Sequence, residues 1–239
     1  KVFGLDAWEK SVAIKKRIGF LPDTPGIYDR MTGRQFLDYL ARLRGFRRPP
    51  PFQKELLDRM ELAEIALRRM LKGYSQGMKQ KVMLIQSMQH EPDLLIMDEP
   101  TDALDPLMRQ VFFGVLREFQ QRGGTVFMSS HVLSDVEAIC KRVAIIRNGS
   151  IVSVGNMEEL KKDYVRSMRV EFKNSPPDSI NLPGISITSQ KGKTWELSVT
   201  GDINPLIQLL ASHAINDLVF ESPRLEELFL TFYENRVPK

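Results

Sequence analysis

The residues best equipped for chemistry are Asp98 and Glu99, adjacent carboxylates that follow the apolar run Leu94–Met97 and precede Pro100. Four apolar residues ending in acids read as a strand buried on both faces, and ligands bind where such strands emerge from a parallel sheet. On an extended chain, neighbouring side chains point to opposite sides. One carboxylate is therefore expected to face a hydrated Mg²⁺ and the other an attacking water, a division of labour that suits phosphoryl transfer. A strand that merely ends in solvated acids would explain the pair if nothing followed. Three further constellations follow.

In YSQGMKQK, Tyr74–Lys81, the residues Ser75, Gln76 and Gly77 stand at the start of a helix. Unpaired N–H groups and a partial positive charge make such a terminus attractive to anions, and a glycine lets a phosphate approach the backbone. In DALDP, Asp102–Pro106, Asp105 reads as an N-cap and Pro106 as the first helical residue. The strand TVFMSS, Thr125–Ser130, delivers His131 to the same sheet edge as Glu99. A lone histidine after a strand is by itself most often structural or solvated.

In this order the motifs resemble those of ABC-type ATPases. LLIMDEP resembles the Walker B strand, YSQGMKQK the signature motif, DALDP the D-loop and SSH, Ser129–His131, the switch-histidine segment; GFLPD, Gly19–Asp23, stands at the place of the Q-loop. The resemblance implies an α/β fold of the P-loop NTPase type, a parallel-sheet core with a helical subdomain over about residues 30–90. It implies ATP and Mg²⁺ as cofactors, with Asp98 and Asp23 at the metal, although the family commonly has Gln where Asp23 stands. Glu99 and His131 become the catalytic pair. Ser75, Gln76 and Gly77, together with Asp105, become nucleotide-binding, the signature holding the γ-phosphate of ATP bound on the opposite protomer. Gln76 replaces the family's first Gly and Met78 its usual Gln, changes of side chain that spare the backbone cradle. The implied partners are a second ATPase subunit and transmembrane permease subunits at the cytoplasmic face of the membrane, without nucleic acid.

The elements that must position these residues follow from periodicity and caps. Ile18–Leu21 reads as a short strand ended by Pro22. Thr32 with Gln35 forms a capping-box pattern for a helix carrying Phe36, Leu37, Leu40 and Leu43, and a second helix starts near Phe52 after three prolines. Met78, Val82, Ile85 and Met88 stripe the signature helix. Leu107, Met108, Val111, Phe112, Val115, Leu116 and Phe119 make a broad apolar face on the helix after Asp105, which Gly123-Gly124 ends. Ser134 with Glu137 reads as another capping box, Asn148-Gly149 as a tight hairpin, and Asn156 with Glu159 as the cap of a short helix.

The pattern changes character near Tyr164, so residues 1–163 are expected to form the ATPase domain and residues 164–239 a small α+β appendage. Strands are predicted over 168–172, 185–189 and 195–200, and helices over 203–212 and 223–233, the last burying Leu225, Leu228, Phe229 and Phe232. The appendage resembles the C-terminal accessory domain of bacterial exporter-type ABC ATPases. Gly192-Lys193-Thr194 echoes the end of a phosphate loop, but the glycine required five residues earlier is Ile187, so a hairpin turn is expected.

Composition sets outer bounds. With 42% hydrophobic and 27% charged residues in a chain of 239, a sizeable core is expected, and no apolar run approaches the length of a membrane helix. The net charge of +4 is mild; Arg42, Arg44, Arg47 and Arg48 crowd one predicted helix end, where cations suit the helix dipole. The single Cys140 excludes an internal disulfide and is assigned no chemistry.

No GxxxxGK[ST] motif occurs in these residues. The family places it before the position of Lys1, so the chain as given is expected to be a truncated or incomplete form that binds ATP weakly and is not competent alone. Two other readings stand beside the exporter ATPase. One is a soluble ABC protein acting on ribosomes or DNA, which a second cassette or a long coiled coil would signal; neither is present. The other is a non-catalytic regulatory fragment, kept open by the missing loop.

Overall fold

The computed structural model describes residues 1–23, 26, 28–157, 166–177 and 179–220. Two compact units divide the chain at Ile139/Cys140. The boundary expected between 163 and 164, the partner Glu159 of the Asn156 cap and the helix expected over 223–233 lie outside the described residues.

The first unit is built on a three-stranded parallel sheet, order β1-β2-β3, with β1 Ile18–Leu21, β2 Leu94–Asp98 and β3 Thr125–Ser129. Leu21 pairs with Met97 and Met97 with Met128, so all three strands deliver their C-terminal residues to one edge. Helix α1 (Ser11–Lys16) precedes β1; it buries only Ile14, too little periodicity to be read from sequence. α2 (Gly33–Leu43) begins at the expected Thr32/Gln35 capping box, and α3 (Pro51–Arg59) at the third proline. A short α4 (Glu64–Leu67) and a 3₁₀ turn (Leu71–Gly73) lead to α5 (Gln76–Met88).

α5 lies so close to β1 that a Cβ on Gly19 would sit 2.1 Å from the Ser87 carbonyl oxygen. α6 (Pro106–Gln121) covers β3, and α7 (Leu133–Ile139) packs on α6. One continuous core joins Leu21, Phe36, Leu56, Ile85, Leu95, Met97, Phe112 and Leu116.

Three expectations are corrected here. β2 is buried on one face only: Leu95 and Met97 are buried, whereas Leu94 and Ile96 are half-buried and, on the same face, Phe127 of β3 is 69% exposed. Leu107 points away from the apolar face of α6 and is exposed, because the buried stripe of that helix runs through Met108, Phe112, Val115 and Phe119. α7 begins at Leu133, one residue ahead of Ser134, which therefore lies inside the helix, and the Ser130 hydroxyl accepts from the Val132 N–H.

The second unit contains a hairpin, β4 (Arg142–Arg147) and β5 (Ser150–Asn156), turned by Asn148 and Gly149, both at positive φ as expected for the tight turn. Asn156 closes β5. A four-stranded antiparallel sheet, order β7-β8-β6-β9, follows: β6 Arg166–Phe172, β7 Ile185–Lys191, β8 Thr194–Val199 and β9 Ile215–Phe220. α8 (Asn204–Ala211) lays Leu206 and Leu210 on a core of Met168, Val170, Phe172, Trp195, Leu197 and Val199. Gly192 at positive φ turns β7 into β8, so the GKT run is a hairpin, as expected.

Candidate functional site

The shared edge of the three strands carries the site. Asp98 is the last residue of β2 and pairs in register with Ser129, the last of β3. The Ser129 hydroxyl donates a short hydrogen bond to Asp98 Oδ1. Carboxylate and hydroxyl together form a hard-oxygen donor set, the kind that suits Mg²⁺ with several of its waters retained.

Glu99 departs from the strand that the sequence implies. Its φ is +44°, in the left-handed region, so Asp98 and Glu99 are not alternating residues of one extended chain. The chain turns sharply there, and the Glu99 N–H donates to the Ser129 carbonyl at 3.3 Å. A bulky residue held in this conformation by its neighbours is a strained feature of the kind that clusters at functional sites. The turn brings Glu99 Oε2 within 3.0 Å of His131 Nδ1, and the His131 N–H donates to the same oxygen at 3.3 Å. Asp102 Oδ1 lies 3.9 Å from His131 Nδ1. The hydrogen bond that Glu99 accepts raises the pKa of His131, with the charges of Glu99 and Asp102 adding in the same direction.

Glu99, Asp102 and His131 each offer a ligand atom within 4.8 Å of the others. With an imidazole in it, this set is a poor match for Mg²⁺, which leaves Asp98 and Ser129 as the better place for that ion.

The signature stretch reaches the same region from the other side. Ser75 is the N-cap of α5, its Oγ accepting from the Met78 N–H at 3.2 Å. Gly77 lies against the loop after Glu99: a Cβ there would stand 2.9 Å from the Ala103 carbonyl oxygen. Only glycine fits without displacing that backbone. Gln76 starts the helix and is exposed. Asp105 caps α6 by accepting from Met108 N–H at 2.9 Å. Its carboxylate is thus committed locally in this conformation.

Asp23 is exposed and follows β1 at the same sheet edge as Asp98, since Leu21 pairs with Met97. The strands thus bring Asp98, Glu99 and His131 to one edge, and the loop after Glu99 meets the first turn of α5 at Gly77.

Two residues that sequence reading passed over hold α5 in place. Gln80 Nε2 donates to the Pro100 carbonyl at 2.8 Å, and Gln86 Nε2 to the Phe20 carbonyl at 2.8 Å. Polar residues flanking the apolar stripe of a helix were the available signal. A cleft of about 830 Å³ lies elsewhere, lined by Arg34, Pro51, Leu57 and Glu64. It contains none of the carboxylate and histidine chemistry, so volume does not mark this site.

Comparison with known proteins agrees with the geometry. A family profile described as ABC transporter matches residues 5–102. An ABC transporter ATP-binding protein of Alkalihalophilus pseudofirmus is 30% identical over 219 residues, which are 89% of this chain and 82% of that protein. One from Synechocystis is 29% identical over 222 residues, 90% of this chain but 62% of its own length. The bacitracin transport ATP-binding protein BcrA of Enterococcus faecalis is 33% identical over 165 residues, covering 68% of this chain and 52% of its own. The chain therefore spans only part of several relatives. A solved ATP-binding subunit of an ABC transporter superposes with a TM-score of 0.60 at 28% identity, over 66% of each chain. An ATP-binding cassette solved as a dimer in a post-hydrolysis state with ADP and Pi shares the fold, with a TM-score of 0.55 at 19% identity over 64% of this chain and 68% of that one.

Proposed function

The chain belongs to the family of ABC transporter ATP-binding proteins, and from that membership we propose that it is the ATP-hydrolysing part of a bacterial exporter, working as a nucleotide-sandwich dimer beneath transmembrane subunits. The observation that carries the reading is the seat of His131 on Glu99 at the end of β2, beside the Asp98–Ser129 pair. A positioned base, an imidazole and a hard-oxygen metal ligand at one sheet edge are the parts that phosphoryl transfer from ATP to water requires. The transport role draws support from the bacitracin transport relative; the export direction and the sandwich dimer rest on the resemblance of the motifs to those of the family.

Each residue then has a role. Asp98, braced by the Ser129 hydroxyl, would hold the metal ion, which would supply positive charge to neutralise the phosphates. Glu99 accepts a proton from the attacking water, and its strained backbone keeps the carboxylate turned toward His131. His131, with its pKa raised, is ready to donate to the γ-phosphate. Ser75, Gln76 and Gly77 present the amides of α5 to a nucleotide held by the other protomer. Asp23 and Asp105 complete the assignment, the first toward the metal and the second toward the nucleotide across the dimer.

The phosphate-cradling GxxxxGK[ST] loop is not among these residues, so the activity proposed is that of a polypeptide carrying these residues together with such a loop. No helix among the described residues is long and apolar enough to cross a membrane, and the assignment to the cytoplasmic membrane face rests on the transmembrane partners the family implies.

The test is nucleotide-dependent dimerisation of the natural full-length protein carrying Glu99→Gln, followed by light scattering. Dimers at saturating ATP that Ser75→Arg abolishes support the sandwich. Persistent monomers at saturating ATP in the presence of the membrane partner contradict it.

A further inference from the structure

Asp135, in the first turn of α7, is only 4% exposed. Removing a carboxylate from water is costly unless its oxygens are hydrogen-bonded and its charge is matched. Both conditions are met from one direction. Asp135 Oδ2 accepts a hydrogen bond from Thr101 Oγ1 at 2.6 Å and lies 3.8 Å from Arg109 Nη1. Thr101 is fully buried in the loop that follows Glu99, and Arg109 belongs to the first turn of α6, at the end of that loop. Arg109 Nε also donates to the Leu104 carbonyl at 3.2 Å.

One carboxylate of α7 therefore grips both ends of the loop from Glu99 to Asp105. His131 stands immediately before the turn in which the Asp135 N–H donates to the Val132 carbonyl at 3.1 Å. A shift of this turn against the loop would shift His131 against Glu99, which it meets through contacts of 3.0 and 3.3 Å. A reacting group misplaced by about 1 Å loses on the order of a hundredfold in rate.

We propose that Asp135 is a positioning residue for hydrolysis: through Thr101 and Arg109 it fixes the loop after Glu99 to the helix that directly follows His131, so that the two ends of the Glu99–His131 contact move as one body. The proposal rests on the hydrolytic reading given above. Thr101 supplies the donor, so its hydroxyl and not its methyl matters. Serine keeps the bond, whereas valine removes it and leaves the buried carboxylate short of a partner.

The experiment is steady-state ATP hydrolysis by the natural full-length protein with its membrane partner, comparing wild type, Glu99→Gln, Asp135→Asn, Thr101→Val, Thr101→Ser and the Asp135→Asn/Thr101→Val pair, with thermal unfolding of each. The expected result is a kcat about tenfold or more lower in Asp135→Asn and Thr101→Val, from displaced reacting groups, with KM for ATP held within about twofold. Thr101→Ser should stay near wild type, and the double variant should be no worse than the poorer single one, because both changes break the same link.

If turnover depends on Glu99 while Asp135→Asn and Thr101→Val retain wild-type kcat, the positioning role is overturned and the hydrolytic reading stands. It is overturned likewise if losses track the fall in thermal midpoint, Thr101→Ser included, since that marks a purely structural residue. If turnover does not depend on Glu99, the hydrolytic reading fails, and the positioning role with it.

Discussion

Two groups of His131 converge on a single oxygen of Glu99: ring Nδ1 lies 3.0 Å from Oε2 and the backbone N–H donates to it at 3.3 Å. The side-chain contact responds to protonation, while the backbone bond persists in either state. Glu99 is thereby held in place even when the imidazole is neutral. A base that must accept a proton from water benefits from that arrangement, because its orientation does not depend on the charge of its neighbour.

The pairing fixes how His131 should titrate. Glu99, through its hydrogen bond and its charge, holds the imidazolium above the ordinary value of 6.5, with Asp102 contributing less. A raised folded-state pKa means that the contribution to stability is complete below the unfolded value and is lost as pH rises through the folded one. Imidazole NMR titration should give a midpoint above 6.5, and Glu99→Gln should bring it down. An unchanged midpoint in the variant would remove Glu99 as the cause.

Gly77→Ala should impair function more than folding. The new methyl group would sit 2.9 Å from the Ala103 carbonyl oxygen, so the loop after Glu99 must give way. α5 itself tolerates alanine better than glycine by about 0.5–1 kcal/mol, so the thermal midpoint should hold or rise while ATP turnover drops about tenfold or more from displaced groups. Turnover equal to wild type would show that the loop yields without consequence.

Much of the first unit was legible because its signals are local. Thr32 and Gln35, Ser75, and Asp105 with Pro106 mark helix starts by hydrogen bonds made within one turn, and each element begins where those residues place it. Asn148-Gly149 likewise specifies its hairpin through backbone conformations that few other pairs adopt.

What the sequence hid depends on packing at a distance. The left-handed turn at Glu99 is imposed by β3, through the Ser129 carbonyl, and no property of glutamate announces it. β9 escaped notice because Asn216 and Asp217 interrupt its apolar pattern on a largely exposed strand. The link from Thr101 to Asp135 spans 34 positions and has no motif. Leu107 looked like core because periodicity describes a helix face without saying how wide a stripe its neighbours cover.

His90 gives an acid-sensitivity prediction for the first unit. Its Nε2 donates to the Ile18 carbonyl at 3.1 Å, an oxygen that Arg44 Nη2 also reaches at 3.1 Å, while Nδ1 is buried without a partner. Adding a proton to Nδ1 would create a buried N–H with no acceptor beside a guanidinium. Burial first, then the Arg44 charge, push the pKa down to about 4. Between the ordinary 6.5 and about 4 the unfolded chain binds the extra proton, so stability falls as pH drops through that window. His90→Gln should flatten the slope of denaturant-measured stability over this range. An identical slope in wild type and variant would exclude His90 as its source.

If Glu99 is the base for ATP hydrolysis at this sheet edge, its loss must show in single-turnover hydrolysis measured alongside nucleotide binding. In the natural full-length protein, Glu99→Gln should bind ATP as wild type does and hydrolyse it about 10²–10⁴-fold more slowly, the usual contribution of a positioned base. A variant that binds and turns over ATP at the wild-type rate would show that Glu99 is not the base.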